Sequence, residues 1–370
     1  MVAVQTMCAR VGIVARCGLA SVLRDHYPRG ILWFACLLLL VANTVNIAAD
    51  LGGMAAAAAL LTGWKAIWFV PVFALLVLAL LILASYAAMS SILKWMTLAL
   101  FAYVVAGFLA HPDWGQVLRG TFVPKARFDG AYLLTFVAIL GTTISPYLFF
   151  WQASQEAEQD GHAVALRSAG QANRPGRRLG RALRAAQQDT NIGMFVSNLI
   201  MYFIILTTGA TLHAAGKTDI QTAEQAAAAL RPLAGQGAAL LFTLGIVGTG
   251  MLGVPVLAGS AAYAVSEAAG WRTGMDEKMW TAPQFYAVIA VATAVGAVLN
   301  YLGLNPIRML FWSAVINGLL APPLIVIILV VCNNATVMGR HRNGRTLNVL
   351  GGLAAVLMTG AAVALIASWL

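Results

Sequence analysis

The segment Gly141-Thr142-Thr143-Ile144-Ser145-Pro146-Tyr147-Leu148-Phe149-Phe150-Trp151-Gln152 lies within residues 130–157, an apolar run long enough to cross a bilayer but broken at its middle. Pro146 has no N–H, so the carbonyl of Thr142, four residues back, loses its helical donor. Proline also pushes the preceding residue, Ser145, out of the helical region. A freed carbonyl, a serine hydroxyl and the negative end of a half-helix then converge inside the membrane, which suits a cation. Spacing alone leaves a second account open, a plain proline kink satisfied by the threonine and serine hydroxyls.

Composition places this segment in lipid. The 370 residues are 61% hydrophobic and 10% charged, whereas a soluble domain is about half apolar and about a quarter charged. So few charges cannot cover a soluble surface, and the chain is expected to be an all-α polytopic protein of the lipid bilayer. The net charge of +10 does not point to nucleic acid, because the charges fall between apolar runs. Cys8, Cys17, Cys36 and Cys332 show no CxxC and no paired spacing, so neither a disulfide framework nor a zinc site is indicated. No nucleophile–base pair or HExxH helix supports an enzyme, and no bound cofactor is expected. The GxGxxG match at residues 248–253 sits in a membrane run with no strand before it, which rejects a dinucleotide site.

Apolar runs of about 20 residues give about nine candidate spans: 31–60, 66–89, 92–110, 130–157, 190–213, 237–267, 282–302, 307–332 and 347–369. Residues 1–29 then form a cytoplasmic segment before a membrane domain of residues 30–370. The Arg-rich stretch 158–188 is read as a cytoplasmic loop by the positive-inside rule. Threading alternately from it leaves only Lys65, Arg119, Lys125, Arg127, Lys217, Arg231 and Arg308 on the opposite side, and places the N-terminus in the cytoplasm. Residues 218–233 read as a short amphipathic helix outside the membrane.

Polar groups inside spans are functional candidates, because each must find a partner or face water. Asn43, Asn46 and Asp50 fall at offsets of three and four, on one stripe of the first span. An ionised Asp50 facing lipid would cost at least ~2.5 kcal/mol, so it should face the bundle interior. Asparagines can instead serve as structural hydrogen-bond glue. Asn317-Gly318 followed by Pro322-Pro323 marks another interrupted helix, and Gly245, Gly248, Gly253 and Pro255 mark close packing or a bend.

With these stretches in view, the chain resembles the NRAMP family of divalent metal transporters, in particular its bacterial NRAMP-related branch. The resemblance runs from Ala9-Arg10-Val11-Gly12 onward and is strongest at Asn43-Thr44-Val45-Asn46-Ile47-Ala48-Ala49-Asp50-Leu51 and at the broken segment. It recurs at Asp219-Ile220-Gln221-Thr222, at residues 254–265 and at Trp312-Ser313-Ala314-Val315-Ile316-Asn317-Gly318. It implies a LeuT-like inverted-repeat fold with a metal site between unwound first and sixth helices. On that plan the first span here is the family's third helix and the broken span its sixth, and residues 1–29 are the cytoplasmic end of the second helix and its loop. The first helix, with its Asp-Pro-Gly-Asn motif, is expected to be missing, through a late start codon or a degraded gene.

The same resemblance assigns Thr142 and Ser145 as metal ligands, the first by its carbonyl and the second by its hydroxyl, with Pro146 as the helix break. Asn43, Asn46, Asp50, Tyr147, Gln152 and Asn317 would line the ion pathway or its surroundings. Ser145 stands where the classical family has a methionine thioether, which favours a hard cation, Mg²⁺ or Mn²⁺, over softer metals. Gly53 and Tyr147 replace a glutamate and a histidine on the family's proton route, which argues against proton coupling. The location implied is a bacterial inner membrane. Two alternatives are a small-solute symporter of the same superfamily and a non-transporting remnant. The absence of a glycine pair at the break argues against the symporter.

Overall fold

In the computed structural model, residues 1–83, 98–123, 129–167 and 175–369 are described. The longer helices are α1 (Val2–Ala15), α2 (Leu19–His26), α3 (Arg29–Thr62), α4 (Phe69–Leu83), α5 (Phe101–Leu109), α6 (Trp114–Phe122), α7 (Gly130–Thr143), α8 (Tyr147–Arg167), α9 (Pro175–Thr208), α10 (Ala238–Ala269), α11 (Pro283–Leu299), α12 (Pro306–Asn333) and α13 (Arg345–Ala367). Among the described residues, 7 helices are long and apolar enough to cross a membrane, or up to 8 if the bent pair α1 and α2 is one span. The 7 match seven of the expected spans; the other two, 66–89 and 92–110, run into residues 84–97, outside the described residues.

The hub is α3, which packs against α10, α11 and α12. Its buried face is built from small residues, Ala48, Ala49, Gly52, Gly53, Ala55 and Ala57, which let neighbouring backbones approach closely. Two apolar clusters flank it. One joins α1, α2 and the first half of α3 to α8 and α12, through Met7, Leu23, Leu39, Phe149 and Ile328. The other joins the second half of α3 to α4, α10 and α11, through Leu51, Val77, Tyr263 and Phe285. Outward faces are apolar too: Val41, Phe195, Val291 and Val356 are all exposed. Such a surface is stable only against lipid tails. The chain is a multi-pass membrane protein.

Four sequence expectations change. Residues 1–29 are more than a segment before the bundle: Val4, Met7, Cys8, Val11 and Leu23 are fully buried against α8 and α12. The stretch 158–188 is helical on both sides of residues 168–174, which lie outside the described residues. Its Arg, Ala and Gln residues are good helix formers, and Pro175 opens α9, where a missing N–H costs nothing. Finally, α12 runs unbroken through Pro322 and Pro323. Its packing against α3, α7 and α13 outweighs the lost backbone bonds. The expected helix at 218–233 divides into short turns, opened by a Thr222–Gln225 capping box.

Candidate functional site

The break separates α7 from α8. Helix α7 stops at Thr143 because Ile144 leaves the helical region, at φ −114 and ψ 74. Pro146 withholds the next donor, and the chain re-enters a helix with Leu148 N–H donating to the Ser145 carbonyl at 3.2 Å. The Ser145 hydroxyl turns back onto the end of α7, 3.1 Å from the Gly141 carbonyl and 3.2 Å from that of Thr142. The carbonyl orphaned by proline is thus met by a hydroxyl whose single proton is shared between two acceptors. Lone pairs remain on all three oxygens, at the negative end of α7. On the far side of the break, Ser260 of α10 donates to the Tyr147 carbonyl at 2.7 Å.

The polar stripe of α3 faces inward and its members divide the work. Asn43 is buried and donates to the Leu257 carbonyl of α10 at 2.9 Å, while its own Oδ1 has no partner. Asn46 and Asn317 of α12 exchange amide hydrogen bonds of 3.0 and 3.1 Å. Asp50 is only half buried, although Ile47, Ala48, Ala49, Leu51, Gly52 and Gly53 around it are all buried. Its carboxylate takes no hydrogen bond from any described residue. It lies against Gly253 of α10, where an added Cβ would come within 2.9 Å of Oδ2. Tyr147 stands in the field of Asp50 and beside the Ser145 hydroxyl. Among the described residues no three His, Cys, Asp or Glu side chains gather as a metal cage, so a cation here would meet mainly neutral oxygens and one acid.

Ser145 and Tyr147 thus flank the break, Asp50 acts on Tyr147 electrostatically, and the Asn46–Asn317 pair lies one turn along α3 from Asp50. Thr142, on the last turn of α7, is exposed. Asn43 is turned toward the backbone of α10. Gln152 sits further along α8, in a separate polar group: Gln5 of α1 donates to it at 3.0 Å and to the Leu148 carbonyl at 3.2 Å, and Gln152 donates to Glu156 at 2.8 Å. Gln5, Ser260 and Glu267 were invisible to the sequence argument. Each owes its significance to partners more than a hundred positions away.

Gly141 explains why α7 can reach this place: a Cβ there would collide with the Ala314 carbonyl and the Gly318 backbone of α12. The break is thus pressed directly against the helix that carries Asn317.

Residues 1–368 match the family profile described as natural resistance-associated macrophage protein-like, Nramp. The divalent metal cation transporter MntH of Xanthomonas campestris pv. campestris is 31% identical over 259 residues, covering 68% of this chain; the chain spans 55%, about half, of that relative's length. MntH of Klebsiella pneumoniae (strain 342) is 26% identical over 357 residues, covering 94% of this chain and 79% of the relative. A crystal structure of the Eremococcus coleocola manganese transporter superposes with a TM-score of 0.72 at 18% identity, over 99% of this chain and 78% of that one. The inverted-repeat, LeuT-like fold expected from the sequence is the fold these structures share. The chain belongs to the Nramp family.

Proposed function

We propose that the chain passes a divalent metal cation across the membrane by alternating access at the break between α7 and α8. One observation carries this: Asp50, in the middle of the most central helix, is only half buried, and no described residue hydrogen-bonds its carboxylate. An acid placed there costs several kcal/mol in a dry membrane core, and an open polar path with a passing cation removes that cost. Thr142 through its carbonyl and Ser145 through its hydroxyl act as ligands, with Asp50 as the nearby charge. Asn46, Tyr147, Gln152 and Asn317 line the path, and Asn43 positions α3.

An oxygen-only set favours a hard cation, Mg²⁺ or Mn²⁺, which keeps part of its water. The relatives named as divalent metal cation transporters support the substrate class. Gly53 and Tyr147 stand where a second acid and a histidine would serve a proton relay, which argues against proton coupling. The N-terminus is cytoplasmic, and the membrane is the bacterial inner membrane. Uptake of Mn²⁺ and of Mg²⁺ into proteoliposomes tests the proposal. It fails if neither ion enters while an organic solute does.

A further inference from the structure

Glu267 of α10 lies away from the break and plays no part in the path above. It is 5% exposed, and three helices meet on its carboxylate. The Ser21 N–H, in the first turn of α2, donates to Oε2 at 3.1 Å. The Ser154 hydroxyl of α8 donates to Oε1 at 2.7 Å. Arg24 of α2 also donates to the Glu267 backbone carbonyl at 2.6 Å. Helix α2 is thus tied to α10.

Helix α8 packs on α1 as well as on α10. Gly12 lies so close to the Ala153 carbonyl that a Cβ there would collide with it, and Gln5 bonds Leu148 and Gln152. The two pairs, α1 with α8 and α2 with α10, are joined in sequence through residues 16–18. There the axis bends by 65° and Arg16 takes the left-handed conformation at φ 56.

We infer that residues 16–18 are a hinge and that the Ser154–Glu267 hydrogen bond is the latch that closes it, with Glu267 as a positioning residue for α8. As part of a transport cycle this rests on the function proposed above. Three further bonds run between α8 and α10, from Ser260 to the Tyr147 carbonyl, from Gln155 to Tyr263, and from Tyr263 to Glu158. The Ser154 bond differs because its acceptor is a carboxylate held from the other side by α2. When Ser154 leaves, Glu267 keeps the Ser21 N–H, so opening breaks one charge-assisted bond without stranding a buried acid.

Cys17, in the hinge and half buried, reports its opening. The experiment is maleimide labelling of the detergent-solubilised full chain, read by mass spectrometry on the tryptic peptide from Cys17 to Arg24. Ser154→Ala should label Cys17 roughly tenfold faster or more, the loss expected for one charge-assisted bond. Ser154→Thr should restore the native rate. Ser266→Ala, which removes a buried hydroxyl with no partner, should leave it unchanged. Cys8, Cys36 and Cys332, all buried, should stay unlabelled. An unchanged Cys17 rate in Ser154→Ala overturns the latch. If that variant labels all four cysteines, Glu267→Gln decides: acceleration at Cys17 alone supports the latch, and no selective acceleration overturns it. Labelling does not depend on transport, so a latch that behaves as described in a chain that moves neither Mn²⁺ nor Mg²⁺ would leave the hinge standing and remove only the transport reading.

Discussion

Asn46 of α3 and Asn317 of α12, 271 positions apart, face each other and trade amide hydrogen bonds of 3.0 and 3.1 Å. The pair pins the central helix to the one that presses on the break. Truncating one partner leaves the other amide without its mate, at a cost of about 1–3 kcal/mol, whereas removing both spares that penalty. Asn46→Leu and Asn317→Leu should each lower the unfolding midpoint in detergent. The double variant should lose less than the sum, by a coupling of about 0.6–1.7 kcal/mol. Strict additivity would show that the two amides do not support each other.

Asp50 makes a different prediction, because charge and stability should part company there. Asp50→Asn removes a charge from the membrane core while keeping the shape, so thermal stability should hold or rise. Uptake should fall at least about tenfold, the loss of roughly 1.4 kcal/mol of favourable interaction with the cation. Parallel melting and proteoliposome uptake measure both sides. Native uptake by this variant would remove Asp50 from the path.

Gly253 lies where Asp50 needs room. An added methyl would sit 2.9 Å from the carboxylate oxygen, closer than carbon and oxygen tolerate. Gly253→Ala should therefore displace Asp50 and lower uptake several-fold, at a stability cost of about 1–3 kcal/mol for overpacking. Gly30, with open space at its Cβ position, is the control, and Gly30→Ala should leave uptake unchanged.

Selectivity should turn on Ser145. Its hydroxyl is 3.1 and 3.2 Å from two carbonyls, in an oxygen-only setting. Ser145→Met brings in a soft thioether, which favours Mn²⁺ over Mg²⁺ by ligand softness. Competition of Mg²⁺ against Mn²⁺ uptake should weaken at least severalfold. Competition unchanged from the native chain would place Ser145 outside the coordination shell.

The break at Pro146 was legible because proline acts on its own neighbours, and the facing of Asn43, Asn46 and Asp50 was legible because a helix repeats every 3.6 residues. The prolines of α12 misled the same local logic: Pro322 and Pro323 sit inside an intact helix, since packing from three sides outweighs the backbone bonds they remove. Gln5 and Glu267 carried no local signal. One lies on an apolar helix with little patterning, and the other stands near a span end, where an acid reads as interfacial.

Sequence alone determined that this chain lives in lipid and where its polar stripe and its helix break fall. Hydropathy, charge and proline geometry are properties of a residue and its near neighbours. Only the tertiary structure decided that Asn46 is spoken for by Asn317 while Asp50 is left open, and that Glu267 joins α2, α8 and α10. Those outcomes depend on which side chains meet across helices, and no local periodicity encodes a contact between residues hundreds of positions apart.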